Sequence, residues 1–401
     1  MTMVYLLKGT MQNYIWGGSD YIPELLQIEK KEEYYAEWWL GAHSSSPSDL
    51  ILNDTIIPLN NYIKEKPGVL GEYSINKFGT ELPYLLKILD VKKPLSIQLH
   101  PTKEQAELGF KQENELGISL SDPKRIYKDS NHKPEMMVAL SDFWLLHGFK
   151  TKDKIAKSLE KHPSLSPLAL RLKQCDLLTF YAEIMRATQQ QLEKWLLPII
   201  QQQKAAYEQN QLSLVNPDYW VLYSIESMEI SLTKLDPGLI CFYLFNIVNV
   251  NKGEGIYQDA GIPHAYLRGQ NIELMACSDN VIRGGLTPKY VNIDELLKTI
   301  NCSEIEPKLL SMMPENIDTY IYPTPASDFA LHSLRYKKDQ NFSNKAESAL
   351  ILFVMEGSLD IIADYKKYSL KQGESVFIEY NTIFNITGKE RGYCIMAKLP
   401  K

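Results

Sequence analysis

The sequence predicts a mainly β protein with a helical insertion, and three features of it carry that reading. No glycine occurs between Gly148 and Gly238, whereas glycine recurs at frequent turns on either side. Inside the gap, Leu177, Leu178, Tyr181, Ile184 and Met185 repeat at helical spacing. Outside it, short β-branched and aromatic runs alternate with turn residues, the pattern of a sandwich or jelly roll.

In chain order, residues 1–150 are β-rich and residues 151–235 form the helical insertion. Thr188 to Tyr207 reads as a helix with Pro198 as a kink or break, because proline lacks the N–H that the helix ladder needs. Pro163, Pro167 and Pro217 fall where helices begin or end. Residues 240–250 read as a strand. Beyond residue 349 the strands are Ala349 to Met355, Ser358 to Ala363 and Ser375 to Ile378, parted by turns at Glu356-Gly357 and Lys371 to Glu374. Gly253 to Tyr257 and Gly373 to Phe377 read as the same hairpin in two related barrels.

A length of 401 residues allows two or three domains. Forty-three Lys+Arg against 49 Asp+Glu gives −6, which argues against a nucleic-acid partner held by global positive charge. Five cysteines, odd in number and without a close pair, argue against a disulfide set or a thiolate zinc site and for a reducing compartment. The run from Met1 to Lys8 lacks a charged lead and is too short for a signal peptide. No stretch approaches the roughly 18 apolar residues of a membrane span. The expectation is a cytoplasmic protein, and a monomer, since no coiled coil or adhesive strand is evident.

The most informative segment is Pro94-Leu95-Ser96-Ile97-Gln98-Leu99-His100-Pro101. Strand alternation would put Leu95, Ile97 and Leu99 on one face and Ser96, Gln98 and His100 on the other. That polar face is either simply wet or points into a barrel pocket. Two more segments favour the pocket: His132-Lys133-Pro134-Glu135 puts Lys133 and Glu135 on one face, and Pro263-His264-Ala265-Tyr266 does so for His264 and Tyr266. Two imidazoles, a carboxylate and an amide oxygen make an N/O site suited to zinc, while two histidines and a carboxylate also suit non-haem iron.

Together, Ser96 to Pro101, His132 to Glu135 and Pro263 to Tyr266 resemble the type I phosphomannose isomerase family. So do Met275 to Lys289 (Met-Ala-Cys-Ser-Asp-Asn-Val-Ile-Arg-Gly-Gly-Leu-Thr-Pro-Lys), Gln12 to Gly17 and Ala36 to His43. The six motifs occur in matching order over nearly the whole chain. The resemblance implies a zinc-dependent isomerase of D-mannose 6-phosphate and D-fructose 6-phosphate, built from two cupin-type jelly-roll barrels plus a small α-helical domain. It implies one Zn2+ per chain on Gln98, His100, Glu135 and His264, and an active-site arginine at Arg283. The domains would be 1–150 with 236–322 (catalytic), 151–235 (helical) and 323–401 (a metal-free barrel whose turn, Ser375 to Asn381, has no histidine). One departure is Gly284, where relatives commonly have alanine; an extra glycine there could loosen the loop that aims Arg283.

Aldose–ketose isomerisation needs a proton shuttle, a cation for the enediolate oxygen and a clamp for phosphate. A metal with one carboxylate ligand keeps a positive charge and polarises sugar oxygens. Arg283 suits the enediolate or a sugar oxygen, and Lys289 the phosphate or loop ordering. Lys133 is the first choice of base, its pKa lowered by cationic neighbours, with His132 for ring opening and Asp279 as a third candidate. Tyr266 and Glu37 suit sugar contacts, Lys87 faces the phosphate, and Ser96 binds phosphate or supports Gln98. Trp38 and Trp39 read as core, His43, His147, His162 and His332 as structural or surface residues, and Cys277 as a packed thiol. Two other classes compete: an iron dioxygenase using His100, His264 and Glu135, which leaves Gln98 and the Arg283–Lys289 loop unexplained, and a non-catalytic sugar-binding protein.

Overall fold

The computed structural model describes residues 3–52 and 55–400. Sheet dominates and forms three assemblies. The ten-stranded one carries the candidate metal segments and is organised on a single strand, His264–Ala276. At 13 residues it is longer than most strands, and it changes partners along its length. Gly269 to Ala276 pair antiparallel with Val91 to Tyr84, and Asn271 to Met275 pair on the other side with Ala139 to Glu135. His264 to Arg268 pair instead with His147 to Trp144, and His264 also faces Gln98.

A bulge between Tyr266 and Arg268 makes the change possible. Gly269 follows at φ +125°, a backbone conformation other residues resist, and a Cβ there would lie 2.7 Å from the Phe143 ring. The bulge also inverts the alternation. Before it, Ala265 and Leu267 enter the apolar core; after it, Ile272 and Leu274 do. Glu273 thereby joins Tyr266 on the polar side.

The nine-stranded sheet runs Met313–Pro314, Thr319–Tyr322, Ala330–Tyr336, Gly392–Lys398, Leu350–Glu356, Ser375–Ile378, Val4–Lys8, Asp49–Leu52, Thr55–Pro58. Its inner residues alternate between two cores. Leu352 and Val354 pack with Leu359 and Phe384 of the four-stranded sheet, and Ile351 and Phe353 pack with Leu86 and Leu274 of the ten-stranded one. The first strand pairs with Ser375–Ile378, from Val4 opposite Ile378 to Leu7 opposite Ser375. One edge of Val4–Lys8 is thus satisfied by the C-terminal part of the chain and the other by Asp49–Leu52, so the sheet spans both sides of 322/323.

Six helices lie between Lys152 and Leu244. Two differ from expectation. Gln189–Glu208 is one helix that continues through Pro198, opened by a Thr188–Gln191 capping box. Trp195, Leu196, Ile199 and Ile200 are buried on both sides of the proline, and that packing outweighs the roughly 3 kcal/mol a helix-interior proline costs. Residues 240–244, expected as strand, end the helix Gly238–Leu244, and the strand begins at Phe245. All seven helical residues are buried, and Lys150 Nζ donates to the last carbonyls, Phe242 O at 3.1 Å and Tyr243 O at 3.2 Å. Among the described residues, no helix is long and apolar enough to cross a membrane.

The helices position the site from behind: Ile97 and Leu99 share a core with Phe180, Tyr181 and Leu239. The expected single strand over 94–100 is shorter, only Gln98–Leu99 being strand, and Leu95 packs with Val91 and Tyr266 in a different cluster.

Candidate metal centre and its surroundings

Gln98 is held in register between His264 on one side and Arg283 on the other. His100 follows two residues later, and Glu135 opens the strand Glu135–Ala139. The ligand atoms of His100, Glu135 and His264 lie within 4.8 Å of one another, all buried. His100 Nε2 is 3.3 Å from Glu135 Oε1, and His264 Nε2 is 3.3 Å from Glu135 Oε2.

The far side of each ring fixes its chemistry. His100 Nδ1 is 2.8 Å from Asn280 O and His264 Nδ1 is 2.9 Å from Ile262 O. A carbonyl only accepts, so the Nδ1 atoms carry hydrogen and a neutral ring leaves its Nε2 lone pair facing inward. Burial pushes His100 down to about 4, so it is neutral near pH 7. Burial alone would raise the Glu135 carboxyl, but Lys133 at 3.1 Å and the His100 ring outweigh it and hold the group well below the usual range. His100 Nε2, His264 Nε2 and Glu135 Oε2 have no hydrogen-bond partner among the described residues. Lone pairs converging in a buried place repel one another, and a cation among them removes the conflict. The donor set fits zinc or iron.

Beside it lies a second buried cluster. Lys87 Nζ is 3.1 Å from Glu273 Oε2 and 3.4 Å from Glu37 Oε2, and sits 4.8 Å from the Trp39 ring centroid. Trp39 Nε1 donates to Glu37. Burial opposes the charge on Lys87, but Glu37, Glu273 and Glu135 together raise its pKa above the ordinary value. Lys87 thus bridges two buried carboxylates. Glu273 was missed in the sequence: Ile272-Glu273-Leu274 shows a polar residue inside an apolar run, but the bulge that turns it toward Lys87 has no local signature. Its carboxyl is raised by burial, against the pull of Lys87. Tyr266 packs edge-on against Phe143, and burial followed by Glu273 and Glu135 drives its phenol well up.

His43 belongs to this wall too. Its Nε2 lies 3.2 Å from Asp279 Oδ1, its Nδ1 is 2.9 Å from Ser45 Oγ, and its ring meets Trp39 edge-on. The hydrogen bond to His43 holds Asp279 low. Lys133 Nζ lies 3.1 Å from Glu135 Oε1. His132 Nε2 is 2.9 Å from Asp328 Oδ1.

Arg283 is half-buried, and its guanidinium has no hydrogen bond or ion pair among the described residues. Its backbone is pinned by Gly284 N donating to Ile97 O at 2.8 Å and by Ile97 N donating to Gly285 O at 3.0 Å. Gly284 thus sits in a fixed segment, not a loosened loop. Further along, Asp236 Oδ1 accepts from Leu286 N at 2.9 Å, and Asp236 Oδ2 from Thr287 N at 3.2 Å. Lys289 is exposed and Ser96 half-buried. Of the other histidines, His147 is buried on Gln258 at 2.8 Å, His162 on Asp218 at 3.0 Å and His332 on Glu315 at 3.0 Å. Burial pushes the Cys277 thiol up to about 12, which removes it as a nucleophile.

Fold and site define a class: a sheet protein with a buried N/O metal centre, walled by paired lysines and carboxylates. Comparison with known proteins gives the family. The model of the phosphomannose isomerase type I catalytic domain matches residues 4–152, and that of the mannose-6-phosphate isomerase cupin domain matches residues 318–395. Mannose-6-phosphate isomerase of Salmonella typhimurium is 36% identical over 93% of this chain and 94% of its own length. The Escherichia coli protein of that name is 34% identical over 94% of each, and the Mus musculus one is 30% identical over 94% of each. The solved structure of the Salmonella typhimurium enzyme bound to its substrate and to zinc superimposes with a TM-score of 0.87 at 32% identity, covering all of both chains. The chain belongs to the type I phosphomannose isomerase family.

Proposed function

We propose that this protein interconverts D-mannose 6-phosphate and D-fructose 6-phosphate by moving a proton between C1 and C2 through a cis-enediol(ate), with one zinc ion on Gln98, His100, Glu135 and His264. The observation that carries it is the buried convergence of His100 Nε2, His264 Nε2 and Glu135 Oε2 without hydrogen bonds, in a chain of this family. When bound, zinc supplies a Lewis acid that polarises a sugar oxygen.

The chain's own residues do the rest. Arg283 keeps a permanent charge that no carboxylate among the described residues pairs with, and so is free to meet the oxyanion. Lys289, exposed on the same segment, takes the phosphate. Lys133, beside Glu135, is assigned the proton transfer, with Asp279 as the alternative. Glu37, Glu273, Tyr266 and Ser96 receive the sugar hydroxyls, and Lys87 holds the two glutamates in place.

We take residues 1–150 with 236–322 as a catalytic cupin-type barrel, 151–235 as its helical insertion and 323–401 as a metal-free cupin-type barrel. The strand Val4–Lys8 then ties the two barrels together. The protein works as a cytoplasmic monomer without nucleic-acid or membrane partners; light scattering after gel filtration checks the monomer.

The test of function is dialysis against a chelator, then add-back of zinc or iron with a coupled mannose 6-phosphate assay. Zinc should restore turnover. Iron-restored oxygen uptake, or sugar binding without turnover, would refute the isomerase.

A further inference from the structure

We infer that Asn280 is a positioning residue for the metal centre: its side chain clamps the 128–131 loop and so fixes the backbone carbonyl that orients His100. The inference rests on the zinc reading above. Asn280 is fully buried. Its Oδ1 accepts from Lys128 N at 2.7 Å and Asp129 N at 3.3 Å, and its Nδ2 donates to Asp129 O and Asn131 O, both at 2.8 Å. Two lone pairs and two N–H groups are the whole capacity of an amide, and all are used. Its backbone oxygen, 2.8 Å from His100 Nδ1, faces a residue 180 positions away.

One residue therefore joins three distant stretches. The clamped loop leads into Lys133 and Glu135, the carbonyl reaches His100, and the segment continues to Arg283. The carbonyl keeps hydrogen on His100 Nδ1 and leaves Nε2 as the inward donor. If the amide clamp is lost, the carbonyl drifts and the imidazole is free to turn or change tautomer. Neighbouring Ser278 offers a graded comparison: its Oγ lies 2.8 Å from Asp129 Oδ1 and 3.2 Å from Asn131 O and accepts from Asn280 N at 3.2 Å, so it borders the clamp but touches no ligand.

The experiment compares the full chain with Asn280→Ala and Ser278→Ala, measuring zinc affinity by competition with a chromophoric chelator and the visible spectrum of the cobalt(II)-loaded protein. Asn280→Ala should weaken zinc about 10- to 100-fold and shift the cobalt bands. Ser278→Ala, which leaves the amide clamp itself intact, should shift the bands less than Asn280→Ala does. Should Asn280→Ala fail to fold by circular dichroism, Asn280→Asp, which keeps the accepting oxygen but replaces the Nδ2 that donates to Asp129 O and Asn131 O, is read the same way. A parent chain that binds no zinc defeats the metal reading itself. A zinc-binding parent whose Asn280→Ala variant matches it in affinity and spectrum, or whose Ser278→Ala variant changes equally, overturns the role given to Asn280.

Discussion

Replacing Lys87 with methionine removes the cation that bridges Glu37 and Glu273 and leaves two buried carboxylates without it. Breaking a buried pair by deleting one partner costs about 3–5 kcal/mol, because the remaining charge is left uncompensated. At about 2.1 cal/mol/K per residue, 4 kcal/mol lowers the Tm of a chain this long by roughly 5 °C if it melts as one unit, and by more if the site's sheet melts alone. The loss must depend on pH in a definite sense. Burial already raises the Glu273 carboxyl above its ordinary value, with Lys87 pulling the other way. Without that lysine the folded protein holds its proton to higher pH, whereas the unfolded chain releases it near the ordinary glutamate value. Between those two values the folded state binds more protons, so stability falls as pH rises and is recovered as pH is lowered. Melts of metal-free parent and Lys87→Met at pH 7.5 and pH 5.5 should show a Tm deficit that shrinks at the lower pH. Adding Glu273→Gln should recover part of it. An equal deficit at both pH values, or none at pH 7.5, would refute the argument.

Arg283→Lys should lower kcat by about 100- to 1000-fold with KM little changed, since a single ammonium does not replace a planar guanidinium at an oxyanion; steady-state kinetics with mannose 6-phosphate reads this directly. Lys133→Met should retain zinc but slow solvent exchange of the C2 proton by about 100-fold or more; exchange near the parent rate takes Lys133 out of the shuttle. Gly284→Ala should be nearly silent. The added methyl would lie 3.1 Å from Ile97 Cγ2 and 3.2 Å from Tyr181 Oη, at a φ alanine accepts, in backbone already pinned on both sides. Stability within about 1 kcal/mol of the parent, measured by urea unfolding, is the expected outcome.

The residues of the centre were legible because they sit in short segments where polar and apolar positions interleave, as around Gln98 and His100 or at His264 and Tyr266. The wall around them was less so. Glu273 reaches Lys87 only because a bulge inverts the alternation of its strand, and His43 reads as an ordinary histidine until its contact with Asp279, 236 positions on by sequence number, is seen. The partner of His132 is equally remote: its Nε2 meets Asp328, 196 positions on by sequence number. Local propensity failed where burial decided, making residues 240–244 helical despite their β-branched and aromatic content and carrying a helix through Pro198.

The placement of Val4–Lys8 between Ser375–Ile378 and Asp49–Leu52 also bears on how the chain is made. The strand leaves the ribosome well before one of its two partners. At ordinary rates of synthesis, the separation between Val4 and Ile378 amounts to roughly 20 to 70 s during which that edge has no neighbour. The sheet closes only after Ser375–Ile378 has emerged. A ribosome-stalled chain ending before Ser375 should therefore carry an open strand edge that invites pairing with other chains.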